Sequence, residues 1–179
     1  GEPRERLREL YNVPLVIAMP GLKASEPPLV NVHGPRYAAE VYDATAAPAF
    51  AGAVLDRMRG SAQVASERGF IEFQSVRSGP MERGKTATKS RGDTTNTIVT
   101  VNSSQVIKVY RRMVPGLSQD IEIGLRLTQA GFCHVAAVTG YALYRERGAF
   151  SYPLLSVQEF VPHRDDAWEM CREDARRFL

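Results

Sequence analysis

The sequence predicts an α+β fold built from antiparallel sheets, and three observations favour that class. Short runs rich in β-branched residues alternate with polar turns, most clearly at residues 98–101 and 105–110 on either side of a turn at 102–104. Two longer segments, 47–59 and 118–130, carry apolar residues at spacings of three and four, as amphipathic helices do. The chain has 179 residues, 44% of them apolar, which is enough for one compact domain or two small ones.

Residues 1–86 are predicted to form a small cap of one antiparallel sheet and one helix. Three short strands in a meander are expected at residues 14–19, 29–33 and 36–42, and a longer strand at 69–78. The helix at 47–59 ends at Gly60, and its apolar face consists of Phe50, Val54, Leu55 and Met58. This part of the sequence contains no recognisable catalytic constellation.

Residues 87–161 are predicted to form a second antiparallel sheet with a single helix. Lys108 lies on the returning strand of the hairpin, and a helix begins at Ser118, whose side-chain oxygen is expected to cap it, and ends before Gly131. Two further strands are expected at 134–147 and 149–160. Residues 162–179 then form a linker and a last helix.

A strand lysine followed by a helix glutamate is the arrangement with which protein-kinase-like folds hold the α- and β-phosphates of ATP. Lys108 and Glu122 have this order, and the polar turn at 93–97 takes the place of a phosphate loop. Ordinary interpretations compete with each of these assignments. Lys108 would then point to water, Glu122 would pair with Arg126 one turn away, and the turn would be a simple connection.

Several motifs carry a resemblance to a known family. They are residues 108–116, with the letters KVYRRMVPG, 120–124 with DIEIG, 130–135 with AGFCHV, and 157–162 with VQEFVP. This sequence resembles the maltokinase family, ATP-dependent kinases of glycogen and trehalose metabolism. The resemblance implies a cap followed by a kinase-like N-lobe, with an antiparallel sheet and one helix similar to the αC helix of kinases.

The same resemblance implies a function and a set of site residues. The complete enzyme would transfer the γ-phosphate of ATP to maltose, giving ADP and maltose 1-phosphate. Lys108 would hold the α- and β-phosphates and Glu122 would orient Lys108. The turn of Asp93, Thr94, Thr95 and Asn96 would cover the phosphates. Adenine would bond to the backbone of Glu159 and Val161 at the hinge between lobes, sandwiched by Val99, Ile107 and Leu155.

The residues that complete catalysis in the family are expected after Leu179. His163-Arg164-Asp165 resembles a kinase catalytic loop, but Met170 stands where the magnesium-binding asparagine is required. We therefore expect magnesium ligands only in a following lobe, no turnover by this chain alone, and weak ATP binding. The identity of the sugar stays open, because sugar-selecting residues should lie in that lobe.

Two other functions remain possible at this stage. The cap and lobe could form a non-catalytic module for protein interaction or regulation, for example with trehalose synthase, or an unrelated α+β binding domain. The net charge of +3, without a basic tract interleaved with aromatic residues, argues against nucleic acid binding. Two cysteines and no long apolar run argue against a disulfide framework, a metal site and a membrane span, and favour a cytoplasmic protein.

Overall fold

The computed structural model describes residues 9–19, 21–76, 87–89, 96–148, 150–163 and 167–178. Within these ranges it contains twelve strands and three α-helices. The strands are β1 (Leu10–Tyr11), β2 (Leu15–Ala18), β3 (Val30–Gly34), β4 (Tyr37–Asp43), β5 (Gln63–Ser66), β6 (Gly69–Ser75), β7 (Ala87–Lys89), β8 (Asn96–Val101), β9 (Gln105–Tyr110), β10 (Arg112–Met113), β11 (Val138–Glu146) and β12 (Ser151–Glu159). The helices are α1 (Ala49–Arg59), α2 (Gln119–Gln129) and α3 (Ala167–Phe178).

The predicted α+β class with antiparallel sheets is confirmed. A three-stranded sheet and α1 come first, followed by the strands around Lys108 and the single helix α2. The strands and helices expected at these places are present, with shifted ends. None of the described helices is both long enough and apolar enough to cross a membrane.

The three-stranded sheet has the order β2-β4-β3, so the predicted meander is wrong. β4 lies in the middle and pairs with both neighbours, since Val41 faces Ile17 on one side and Val30 on the other. A tight turn joins β3 directly to β4, whereas a connection of residues 19–29 separates β2 from β3. The long connection lets β2 pair with the far edge of β4.

The larger sheet has seven strands in the order β5-β6-β11-β12-β9-β8-β7, all antiparallel. The predicted hairpin turn between β8 and β9 is confirmed. Asn102 and Ser103 have positive φ values of 50° and 52°, and the Ser104 N–H donates to the Val101 carbonyl at 3.0 Å. β5 was not predicted, because its four residues, QVAS, contain a single β-branched residue.

The sheet continues across the predicted division at residue 86. β5 and β6 belong to the first 86 residues, yet β6 pairs along its length with β11. A boundary at 86 would therefore divide one hydrogen-bonded sheet. The division into 1–86, 87–161 and 162–179 stays a prediction.

Helix α1 covers one face of the seven-stranded sheet and forms the main core with it. In its apolar stripe Val54 is buried, Leu55 and Met58 are completely buried, and Phe50 is partly buried. The core cluster contains Ala51, Val54, Leu55, Met58, Phe73, Val99, Val101, Ile107, Val109, Ala142, Leu155 and Val157. Because successive strand residues alternate between faces, Lys108 must lie on the opposite face from Ile107.

Helix α2 packs on β11 through a buried isoleucine and a glycine. Ile121 is fully buried. A Cβ atom on Gly124 would lie 2.6 Å from Cγ2 of Val138, so the absence of a side chain at this position permits the close approach. By contrast, α3 is exposed along its described side chains, including Trp168 and Phe178.

Candidate functional site

Lys108 lies in the middle of β9, between β8 and β12. Its neighbours across the ladder are Ile98 and Ser156. The side chain is 25% exposed and reaches the face of the sheet opposite α1. Lys108 is therefore a partly buried cation on a central strand.

The ammonium group of Lys108 forms an ion pair and hydrogen bond with the Asp120 carboxylate. Asp120 lies in the first turn of α2, where a carboxylate also interacts favourably with the helix dipole. Ser118 is the residue preceding the helix, as predicted, but its side chain makes no capping hydrogen bond. The strand and the following helix thus place one cation and one carboxylate together.

The predicted pairing of Glu122 with Lys108 is not formed. Glu122 binds Arg126 at 2.9 Å, the i,i+4 contact expected of two residues on an exposed helix face. Glu122 lies two residues after Asp120, which turns it about 200° around the helix axis. The acidic partner of Lys108 is therefore Asp120, which the motif comparison did not single out.

The predicted phosphate turn is described only at its end. Asp93, Thr94 and Thr95 lie outside the described residues. Asn96 begins β8 opposite Tyr110 and, with Asp120, lines a cavity of about 450 Å³. Asn96 thus lies on the same side of the sheet as the Lys108–Asp120 pair.

The strand that leads to the hinge ends at Glu159, one residue before its predicted end, and some of its last backbone groups already form hydrogen bonds. The Glu159 N–H donates to the Ala137 carbonyl at 2.9 Å, and the Phe160 N–H donates to the Ser104 carbonyl at 2.8 Å. The Val161 carbonyl accepts from Nδ1 of His163 at 2.8 Å. The Val161 N–H makes no hydrogen bond within the described part of the chain.

The three residues expected to sandwich adenine lie on the wrong face. Val99, Ile107 and Leu155 are buried in the core beneath α1. The half-buried residues that share the face of Lys108 are Ile98, Thr100, Val106 and Gln158. Strand alternation around Lys108 was the signal that could have identified them from the sequence.

A second cavity of about 430 Å³ opens beside Lys108, between α2 and the sheet. Its polar wall includes Lys108, Asp120 and Gln158, and its apolar wall includes Ile123 and Leu127. A volume of this size with a few convergent polar groups is typical of small-molecule sites. Asp120 borders both cavities, so the ion pair lies between them.

A further charged network joins the three-stranded sheet to the lysine strand. Arg111 Nη2 lies 2.5 Å from an Asp43 carboxylate oxygen, and its Nε donates to the Thr97 hydroxyl at 2.8 Å. Burial alone would raise the pKa of Asp43. Hydrogen bonds from the Thr45 hydroxyl and backbone N–H, together with Arg111, outweigh burial and hold that pKa below its ordinary value.

Metal-binding geometry is absent from the described residues: no group of three or more His, Cys, Asp or Glu side chains is close enough to hold an ion. The expectation that magnesium ligands lie in a following lobe stays a prediction. Cys133 and Cys171 are both free and exposed.

No known family model matches the sequence. Solved structures of glucosamine kinase are similar to this chain in two crystal forms, with TM-scores of 0.43 and 0.48 at 18% and 17% identity. A third, glucosamine kinase in complex with glucosamine, ADP and inorganic phosphate, has a TM-score of 0.46 at 17% identity. The matches cover 72%, 82% and 88% of this chain but only 30%, 32% and 41% of those chains. The chain therefore spans less than half the length of these kinases.

Proposed function

We propose that this chain is the cap and ATP-binding lobe of a kinase-like sugar phosphotransferase. The observation that carries the proposal is the ion pair between Lys108, on a central antiparallel strand, and Asp120, in the first turn of the next helix. A phosphate-binding lysine has to point in a fixed direction, and an ion pair with a neighbouring carboxylate provides that. Cavities on either side of the pair give a ligand access to it.

In this proposal Lys108 neutralises charge on the α- and β-phosphates, and Asp120 takes the orienting role first assigned to Glu122. Asn96 adds an amide at the start of β8, next to the predicted phosphate turn of Asp93, Thr94 and Thr95. A phosphate group can bind the ammonium group beside Asp120, because an ammonium group has three N–H donors and Asp120 accepts from one of them.

The adenine end of the site is proposed at the hinge. The Val161 N–H supplies a donor, and the Glu159 backbone lies two residues before it on the same segment. The ring would lie on the face formed by Ile98, Thr100 and Val106, which are half-buried on the lysine side of the sheet. The described residues therefore offer a nucleotide a cation for its phosphates, a partly apolar surface for its ring and a hydrogen-bond donor at the hinge.

The finer assignment to maltokinase rests on the sequence motifs alone. It implies maltose as acceptor, maltose 1-phosphate as product and a role in glycogen and trehalose metabolism, in the cytoplasm. The described residues offer no set of ligands that fits Mg²⁺, so we derive no phosphoryl-transfer step. The chain alone is expected to bind ATP without turning it over.

The test is an ATP titration of the full chain followed by NMR or calorimetry. We expect saturable binding with a dissociation constant on the order of millimolar, about 4 kcal/mol. Lys108→Ala should abolish binding, whereas Lys23→Ala, which removes an exposed lysine of equal charge, should leave it unchanged. Absence of binding in the folded wild type, or equal loss in both variants, would overturn the proposal.

A second candidate function, a protein-interaction module, is favoured by the outer face of the three-stranded sheet. Its large apolar side chains are more than half exposed: Leu15, Ile17, Met19, Val30 and Tyr37. Exposed apolar surface of this kind is typical of interfaces. The resemblance suggests trehalose synthase as the partner.

Binding to purified trehalose synthase, measured by sedimentation, tests this second function. Ile17→Glu should abolish the complex and Met170→Glu, at an exposed apolar position on α3, should not. Failure of the wild type to form a complex would remove this partner.

A further inference from the structure

We propose that Tyr110 is a positioning residue for Lys108 and holds the ammonium group above an aromatic ring beside Asp120. This inference rests on the proposed function, because it concerns how the same lysine meets a nucleotide phosphate. Nζ of Lys108 lies 5.6 Å from the centroid of the Tyr110 ring. That distance is within the range over which an aromatic face attracts a cation.

The position of the ring is fixed by its surroundings. Tyr110 is 6% exposed, and its hydroxyl lies 3.1 Å from the hydroxyl of Ser156, which is completely buried. Ser156 is also the residue opposite Lys108 across the ladder. The Asn12 side-chain amide donates to the Tyr110 carbonyl at 3.1 Å. A side chain held by its strand, its hydroxyl and its burial has little freedom to move away from the lysine.

The two partners of Lys108 differ in what they do to its charge. Asp120 accepts a hydrogen bond from one of the three N–H donors of the ammonium group and offsets part of its charge. The Tyr110 ring carries no net charge and attracts the cation without neutralising it. The ring and Asp120 together therefore direct the remaining N–H donors of the ammonium group toward an incoming phosphate.

The first arm of the test is ATP affinity in four forms of the full chain: wild type, Tyr110→Phe, Tyr110→Leu and Tyr152→Leu. Tyr152 is buried to the same extent, at 6% exposure, and controls for the general loss of a buried aromatic residue. Tyr110→Leu should weaken binding roughly tenfold, within the range of a partly desolvated cation–π contact. Tyr110→Phe and Tyr152→Leu should bind within about twofold of wild type on the same scale.

The second arm needs no nucleotide, so it separates a failure of this inference from a failure of the proposed function. The ε-methylene protons of Lys108, assigned by their loss in Lys108→Arg, should show an upfield ring-current shift. That shift should persist in Tyr110→Phe and disappear in Tyr110→Leu, with the fold checked by amide spectra. Absence of the shift in wild type overturns the inference, as does wild-type affinity in Tyr110→Leu or equal weakening in Tyr110→Phe.

Discussion

Asp43, at the end of β4, and Arg111, directly after β9, form a largely buried ion pair that links the three-stranded sheet to the seven-stranded sheet. Their side chains are 17% and 20% exposed, and the contacting atoms lie 2.5 Å apart. Arg111 also donates to Thr45 at 3.2 Å and to Thr97 at 2.8 Å, so one guanidinium group joins β4, the turn after it and β8. The three-stranded sheet is thereby fixed to the strand that carries Lys108.

Removing the carboxylate should therefore destabilise the whole fold. Asp43→Ala leaves the Arg111 charge largely buried without its main partner, and we expect a loss of about 2 kcal/mol in the free energy of unfolding. Urea denaturation measures this loss. Asp56→Ala breaks the pair with Arg59 on α1, where Asp56 is 65% exposed, and should cost less than about 0.5 kcal/mol. Equal effects of the two substitutions would contradict the structural role of Asp43.

The same pair predicts a pH dependence of stability. The pKa of Asp43 is lowered in the folded protein, so the unfolded state takes up a proton first as the pH falls. The stabilisation is complete above the ordinary carboxyl pKa of about 3.9 and is lost as the pH falls from there through the folded pKa. Urea unfolding measured from pH 6 to pH 2.5 should show a steeper decline in wild type than in Asp43→Asn.

Glu72 serves as the control for this experiment. Its pKa is also lowered, chiefly by the hydrogen bond from Arg145. Glu72→Gln therefore removes a second carboxylate that, like Asp43, stabilises the fold less as the pH falls. Each single variant should lose part of the acid dependence, and the double variant more. A pH profile of Asp43→Asn identical to wild type would show that Asp43 does not titrate as described.

Gly124 is predicted to be essential for the packing of α2 on β11. Alanine normally stabilises a helix relative to glycine, by up to about 1 kcal/mol. Here a Cβ would meet Cγ2 of Val138 at 2.6 Å, and Val138 is a completely buried, stiff side chain. We expect Gly124→Ala to destabilise the protein by about 1 to 3 kcal/mol.

A double-mutant cycle with Val138→Ala tests the cause of that loss. Removing the valine methyl groups relieves the clash, so the two substitutions together should cost clearly less than their sum. Additive costs would show that the helix shifts for another reason. Thermal denaturation of the four forms provides the comparison.

Local patterns in the sequence predicted helices and strands. The order of the strands in a sheet depends on pairings between distant residues, which local patterns do not reveal. The Asn102-Ser103 turn and the apolar stripe of α1 are local signals, and both are confirmed. The order β2-β4-β3 depends on which edge of β4 pairs with β2, and the connection of residues 19–29 allows either edge. No local sequence pattern predicts which edge is used.

Lys108 lies on β9, the strand that the sequence predicted, but its carboxylate partner is Asp120 and not Glu122. Asp120 and Glu122 both lie in the first turn of α2, and only the rotation of the helix on the sheet decides which faces β9. That rotation is set by the buried Ile121 and by Gly124 against Val138, contacts that appear only in three dimensions. The adenine-facing residues, in contrast, could have been predicted to share the face of Lys108, because side chains alternate between the two faces along β9.

The two carboxylates of α2 are therefore predicted to differ in their effect on ATP binding. Asp120→Asn keeps the size of the side chain but removes the charge that orients Lys108, and we expect affinity to fall by roughly three- to tenfold, since about 1 kcal/mol of positioning is lost. Glu122→Gln removes an equal charge from the exposed pair with Arg126 and should leave affinity within about twofold. NMR titration of the two variants side by side measures both values. A larger loss in Glu122→Gln than in Asp120→Asn would mean that α2 turns when ATP binds and would restore Glu122 as the partner of Lys108.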